Sequence, residues 1–192
     1  MPEEGEAIRE PASAERRYYH PLQRDYATFL KTSEETGGEF TLIEIELAPC
    51  GGNALHYHKA FDEHFEALEG ALEVQTGEER RILHPGEKAT AAKNVLHCFR
   101  NPTDEPARFL VELRPGHTGF ENALKTGYGL ASDGLARANG APKNLYYLAL
   151  LFEWSDSRLP GFFAVAEPLF RFLARRARRK GIDEYLEERY CR

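Results

Sequence analysis

The segment His56-Tyr57-His58, with Glu63 five positions further on, places three metal-ligating side chains within eight residues, and His97 supplies a fourth in a second cluster that ends at Asn101. On a β-strand, residues i and i+2 share a face, so the two imidazoles at 56 and 58 can converge on one point. Glu63 lies beyond the reach of that strand, but a short turn returning the chain beside it would bring the carboxylate to the same place. Imidazole with carboxylate suits zinc, iron, manganese, nickel or copper, so the ligand types leave the metal open.

The elements that must position these residues are short strands. Phe40 to Leu47 alternates at its end, with Ile43, Ile45 and Leu47 on one face, and reads as a strand. Pro49 to Asn53 is a turn cluster, and Leu55 to His58 is expected to begin the next strand. Further strands are expected at Phe65–Glu69, Leu72–Gln75, Arg80–Leu83, Lys88–Ala91, His97–Arg100 and Arg108–Leu113, separated by Gly and Pro. Such a series predicts an antiparallel sandwich or barrel.

After Gly116 the period changes. Phe120, Leu124 and Tyr128 are spaced for a helix, which Gly127, Gly129 and Gly134 predict to be short or broken. Leu145, Leu148, Ala149 and Phe152 form one helical stripe and Tyr147, Leu151 and Trp154 another. A helix that is apolar on most sides should be buried on most sides. A last amphipathic segment carries Phe162, Ala166, Leu169, Phe170, Leu173 and Ala177, with Gly181 as its stop and Pro168 limiting its first turns. The expected organisation is a mobile arm over residues 1–17, a β domain over 18–116 and a helical extension over 117–192, packed on the barrel or on a dimer mate.

The 192 residues suffice for one core without disulfides; 42% are hydrophobic and 29% charged, as in a soluble globular protein. A net charge of −6 argues against nucleic acid as a partner. Cys50, Cys98 and Cys191 are odd in number and far apart, which favours free thiols in a reducing compartment. The start Met1-Pro2-Glu3-Glu4 is acidic where a secretory leader would be basic, and the longest apolar run, Leu145 to Phe152, is too short for a membrane span. A cytoplasmic location is expected.

The two clusters resemble the paired motifs of the cupin superfamily, G-x5-H-x-H-x3,4-E-x6-G and G-x5-P-x-G-x2-H-x3-N. His56, His58, Glu63 and Gly70 match the first motif, and Gly86, His97 and Asn101 match the second. Cys50 holds the leading glycine's position with Gly51 after it, and Ala92-Lys93-Asn94 replaces P-x-G. Asn94 is a mild departure, because Asn tolerates the left-handed backbone better than most residues with a side chain. The resemblance implies a double-stranded β-helix (jelly-roll) barrel followed by C-terminal α-helices, and often a homodimer. It also implies a divalent transition metal held by His56, His58, Glu63 and His97, with Fe, Ni, Mn and Zn all open.

On that resemblance the expected function is action on a small organic molecule at a metal with one or two open positions, in the manner of a metal-dependent dioxygenase, with Glu63 also able to serve as a base. A non-catalytic binding module and a sugar or hydroxy-acid isomerase are the alternatives. Other polar residues have plainer expectations. His64 adjoins Glu63 and should face the opposite side, His84 is a turn residue, and His20 and His117 have no partners in sequence. Cys98 should face away from the metal, and Cys50 sits in the turn before it. Arg175, Arg176, Arg178, Arg179 and Lys180 read as the solvated face of a helix. Tyr146, Tyr147, Trp154, Phe162 and Phe163 either line the mouth of the barrel or fill a core.

Overall fold

The computed structural model describes residues 16–161 and 166–192. Nine strands precede four helices among them: β1 Arg17–His20, β2 Asp25–Lys31, β3 Thr41–Leu47, β4 Asp62–Glu69, β5 Leu72–Thr76, β6 Glu79–Leu83, β7 Lys88–Ala91, β8 His97–Arg100 and β9 Ala107–Arg114, then α1 Thr118–Ser132, α2 Leu145–Trp154, α3 Glu167–Arg178 and α4 Ile182–Tyr190. The mobile-arm reading over 1–17 falls mostly on residues outside the description, as do Phe162 and Phe163. No helix among the described residues is long and apolar enough to cross a membrane.

The strands form two antiparallel sheets, one of six strands in the order β1-β2-β3-β9-β4-β7 and one of three in the order β6-β5-β8. The two antiparallel sheets fit the sandwich that the strand series allows; the closed jelly-roll barrel that the resemblance implies is not shown among the described residues. Alternation does the work within each strand. Ile43, Ile45 and Leu47 of β3 and Glu63, Phe65 and Ala67 of β4 point inward while their neighbours stay half-exposed. Leu72, Val74 and Leu83 of the small sheet join Phe29, Phe65 and Phe109 of the large one in a single core. Strands β1 and β2 are an addition to the expected set. Their hairpin pairs Asp25 with Leu47, Ala27 with Ile45 and Phe29 with Ile43, widening the large sheet.

Residues 55–58 do not form a strand. His56 bridges His97 on one side and Tyr57 bridges Arg158 on the other. Single bridges to two different neighbours cannot propagate into a ladder, so the chain is held in extended form without belonging to either sheet.

The helix α1 is continuous over 15 residues, against the expectation of a broken one. Its glycines serve close approach: a Cβ at Gly129 would stand 2.2 Å from the Tyr190 ring of α4. Phe120, Leu124 and Tyr128 face the β core, whereas Leu130 joins a second core with Ala149, Leu150, Ala174, Ala177 and Leu186. Buried Glu121 tethers the helix to the sheet, accepting hydrogen bonds from the Ser33 backbone N–H and the Thr41 hydroxyl, both at 2.6 Å.

The helix α2 is less buried than its composition predicts: only Ala149 and Leu150 are fully inside, and Leu145 is 53% exposed. The helix α3 packs on it. The cationic residues of α3 do face outward, with Arg178 paired to Glu153 and Arg176 donating to the Tyr146 hydroxyl at 3.3 Å.

Asp25 is a second buried carboxylate. Its Oδ2 accepts from the Tyr128 hydroxyl at 2.7 Å, and burial pushes its pKa up to about 6 against the opposing effect of that bond. A folded-state value above the unfolded 3.8 makes the native state prefer the protonated form. That stability is complete below the unfolded value and is lost as pH rises through the folded one. The group therefore withdraws on the order of 2–3 kcal/mol between about pH 4 and pH 7. Asp25→Asn keeps an acceptor for Tyr128 and should narrow the gap in melting temperature between those two pH values; an unchanged gap would refute the buried carboxylate.

Candidate metal centre

The two motifs meet through the backbone. The His56 N–H donates to the His97 carbonyl at 3.0 Å and the His97 N–H to the His56 carbonyl at 2.7 Å, while the Asn94 N–H donates to the His58 carbonyl at 2.7 Å. Glu63 enters from β4, one turn after His58, with Ala91 and Leu113 as its strand neighbours. One ligating atom from each of His56, His58, Glu63 and His97 lies within 4.8 Å of all the others. His58, Glu63 and His97 are buried and His56 is half-buried.

Local chemistry sets which nitrogen faces inward. The His56 Nδ1–H donates to the Ala54 carbonyl at 2.8 Å and the His97 Nδ1–H to the Val95 carbonyl at 2.9 Å. A carbonyl can only accept, so both neutral rings carry their proton on Nδ1 and turn an Nε2 lone pair to the centre. Such an outer hydrogen bond is what a metal-ligating histidine ordinarily has. His58 has no partner at either nitrogen and is held instead by stacking on Phe61 at 4.4 Å, with Phe120 edge-on at 5.7 Å.

The result is a cluster of acceptors lacking donors. The His97 Nε2 stands 2.7 Å from Glu63 Oε2, yet neither is satisfied by a hydrogen bond when the ring proton is on Nδ1. Burial lowers the pKa of His56, and it lowers that of His58 to about 4. For Glu63, burial favours the neutral acid, but the bond to His97 and the surrounding imidazoles outweigh it and hold the carboxyl well below its usual range. Burial opposes charge on His97 too, and the same Glu63 contact overrides it and raises the value. A proton shared between these two can bridge only one pair. A cation at the centre would satisfy all four groups, so the donor set fits a divalent metal.

Two departures from the motifs sit where the backbone needs a left-handed residue. Asn94 has φ +65° and Cys50 has φ +59°. Gly70, which matches, has φ +71°, and a Cβ there would lie 2.7 Å from the Pro106 carbonyl oxygen. Asn101 ties the end of β8 to its surroundings, donating to the Glu105 carbonyl at 2.7 Å and accepting from the Thr103 N–H at 3.0 Å.

The remaining candidates fall outside the cluster. His64 faces away from Glu63, its Nδ1 2.9 Å from the Thr90 hydroxyl. His84 is exposed in a turn, and the His117 Nδ1 caps α1 by accepting from the Phe120 N–H at 2.9 Å. The three cysteines are unpaired; Cys98 points to Gln75 and Cys50 is exposed. Sequence reasoning missed the segment 156–158. The Asp156 carboxylate accepts from the Lys59 and Ala60 N–H groups at 2.7 and 2.8 Å, and Arg158 bridges Tyr57, so this segment clamps the chain beside His58.

A cavity of about 370 Å³ reaches His56 and Glu63. Its walls are mainly apolar, from Ile43, Ile45 and Val111 of the large sheet and from Phe120, Leu148 and Phe152 of α1 and α2. Tyr146, Tyr147 and Trp154 pack against the helical core instead. A hollow of about 410 Å³ between α2 and α3 touches none of the four candidate ligands.

Residues 43–112 match the family model Cupin_2, a cupin domain, so this segment of the chain is a cupin domain. Among solved structures, it is similar to an RmlC-like cupin from Shewanella frigidimarina NCIMB 400, with 13% identity and a TM-score of 0.50 over 60% of this chain and 96% of that one. It is also similar to a sugar phosphate isomerase of the cupin superfamily from Silicibacter pomeroyi DSS-3, with 31% identity and a TM-score of 0.41 over 47% of this chain and 59% of that one. A predicted oxalate decarboxylase from Thermotoga maritima gives 16% identity and a TM-score of 0.46 over 47% and 80%. No curated protein matches. Cupins commonly bind a divalent metal, and the His-His-Glu-His group here could hold one.

His58→Ala should remove most of the bound metal from a folded protein, since it deletes one of four donors without touching a protein–protein hydrogen bond. His64→Ala should leave metal content unchanged. Elemental analysis of both variants, purified without chelators or a polyhistidine tag, checks this; equal loss would refute the assignment of faces.

Proposed function

We propose that the chain is a metal-dependent enzyme of dioxygenase type acting on a small organic molecule bound between the large sheet and helices α1 and α2. The observation that carries this reading is that two of the four clustered donors, His56 and Glu63, line a mainly apolar cavity of about 370 Å³, a size suited to a small ligand. His56, His58, Glu63 and His97 would hold the metal, which when bound supplies Lewis acidity and, for a redox-active ion, one-electron chemistry. The residues around it have separate tasks. The Ala54 and Val95 carbonyls fix two imidazoles in their ligating tautomer. Phe61 and Phe120 orient the third and exclude water from it. Glu63, a carboxylate held in its ionised form chiefly by its contact with the His97 ring, would take a proton at Oε2 from an acidic enol or catechol oxygen of the substrate. The apolar walls would bind the substrate's body and strengthen that electrostatic effect by lowering the local dielectric.

The test is oxygen consumption by protein loaded separately with Fe(II), Mn(II), Ni(II) or Zn(II), across a panel of diketones, catechols and flavonols. Uptake is expected with at least one redox-active metal, none with zinc, and at least a hundredfold loss in His58→Ala. Tight binding of these compounds without turnover under any metal would make the domain a binding module and overturn the enzymatic reading.

A further inference from the structure

The fold accounts for one oxygen of Asp25 and not for the other. Oδ2 receives the Tyr128 hydroxyl, which fastens α1 to the β1–β2 hairpin. Oδ1 is buried and accepts no hydrogen bond from another residue among those described. Asp25 is only 3% exposed, and it lines the same cavity that reaches His56 and Glu63. A carboxylate oxygen left in that state is costly and calls for a donor.

His20 lies beside it. The two are register partners in the β1–β2 hairpin, and the His20 ring packs edge-on against Tyr128 at 5.1 Å. The His20 Nδ1 accepts from the Gln23 N–H at 3.0 Å, so the neutral ring carries its proton on Nε2. That edge faces the cavity wall at Gly140, where a Cβ would stand 3.7 Å from Nε2. Two lining residues of the cavity that are partners in one hairpin thus offer a buried acceptor without a donor, on Asp25, and a ring N–H, on His20. A hydroxyl is the small group that satisfies both at once.

We propose that His20 and Asp25, with Tyr128 positioning the carboxylate, bind a hydroxyl on the end of the substrate remote from the metal. This rests on the metal-dependent reading above and narrows its substrate class. The ligand would carry chelating oxygens at one end, an apolar body and a free hydroxyl at the other. Strands β3 and β9 separate β2 from β4, three strand spacings or roughly 14 Å in a flat sheet, so a molecule reaching both ends must be elongated. All three residues of this site lie outside the matched cupin domain, on β1, β2 and α1.

The experiment uses zinc-loaded full-length protein, which holds the metal without oxidising the probe, at about pH 8, above the value at which Asp25 ionises. The probes are 4-alkylcatechols with chains of two, four and six carbons, each ending either in a hydroxyl or in a methyl group, titrated calorimetrically. At one chain length the hydroxyl probe should bind at least tenfold more tightly than its methyl counterpart. Asp25→Ala and His20→Phe should each bring that ratio close to one, with zinc content and affinity for the methyl probe unchanged. If Asp25→Ala does not fold, His20→Phe decides alone, since it keeps an aromatic ring against Tyr128 while removing Nε2, along with the Nδ1 that accepts from the Gln23 N–H. Equal affinities in the wild type, or a ratio intact in the folded variants, would overturn the hydroxyl site and leave the metal centre standing. Failure of every catechol to bind would overturn both.

Discussion

Three imidazole nitrogens and a carboxylate oxygen are gathered within 4.8 Å, in a pocket walled by Phe61 and Phe120, with their protons turned outward or missing. Such a grouping is unfavourable in itself: lone pairs face lone pairs in a region of low dielectric, where each unpaired polar atom costs about 1–3 kcal/mol. The β framework holds it together regardless. The reciprocal pair of backbone bonds between His56 and His97 ties the 55–58 segment to β8 of the small sheet. Glu63 is fixed in the interior of β4 between two other strands. The strain at the centre is thus offset by sheet pairing and apolar burial elsewhere, which leaves a donor group that could hold a cation.

The parts of this arrangement that were legible in the sequence are those carried by side-chain type and spacing. Alternation in Thr41–Leu47, the Gly and Pro punctuation and the spacing from His56 to Asn101 sufficed for the β class, the helical tail and the four donors. What was illegible depends on partners distant in sequence. Residues 55–58 look like a strand because their alternation is right, but His56 and Tyr57 find different neighbours. The glycines of α1 suggest a break, whereas Gly129 is small because the Tyr190 ring occupies the space of its side chain. The carbonyls of Ala54 and Val95, which choose the histidine tautomers, leave no trace in residue type at all, since every residue has one.

The two substitutions within the motifs follow a single physical rule. Positive φ disfavours a Cβ by roughly 1–2 kcal/mol, and Asn and Asp bear it better than most. Asn94, Cys50 and Asp156 all adopt it near the cluster. Asp156 uses the turn to aim its carboxylate at two N–H groups beside His58. Local strain is accepted where it directs the chain around the ligands.

The division of labour between the family's domain and the rest of the chain follows from the lining of the cavity. The matched span contributes all four donors and the apolar floor on β3 and β9. The roof belongs to α1, α2 and the segment after α2, and the far end belongs to the β1–β2 hairpin. A metal held by this donor set could serve many reactions, because fold and ligand set alone do not fix a function. On the proposed function, discrimination among substrates would come from surfaces that contact the remainder of the molecule. In this chain those surfaces are built by residues before 43 and after 112, and Glu121 and Asp25 bind them rigidly to the sheet. Changes in the hairpin and in α1 would therefore alter which molecule is held, while changes at His56, His58, Glu63 and His97 would alter whether any metal-dependent chemistry is available to it.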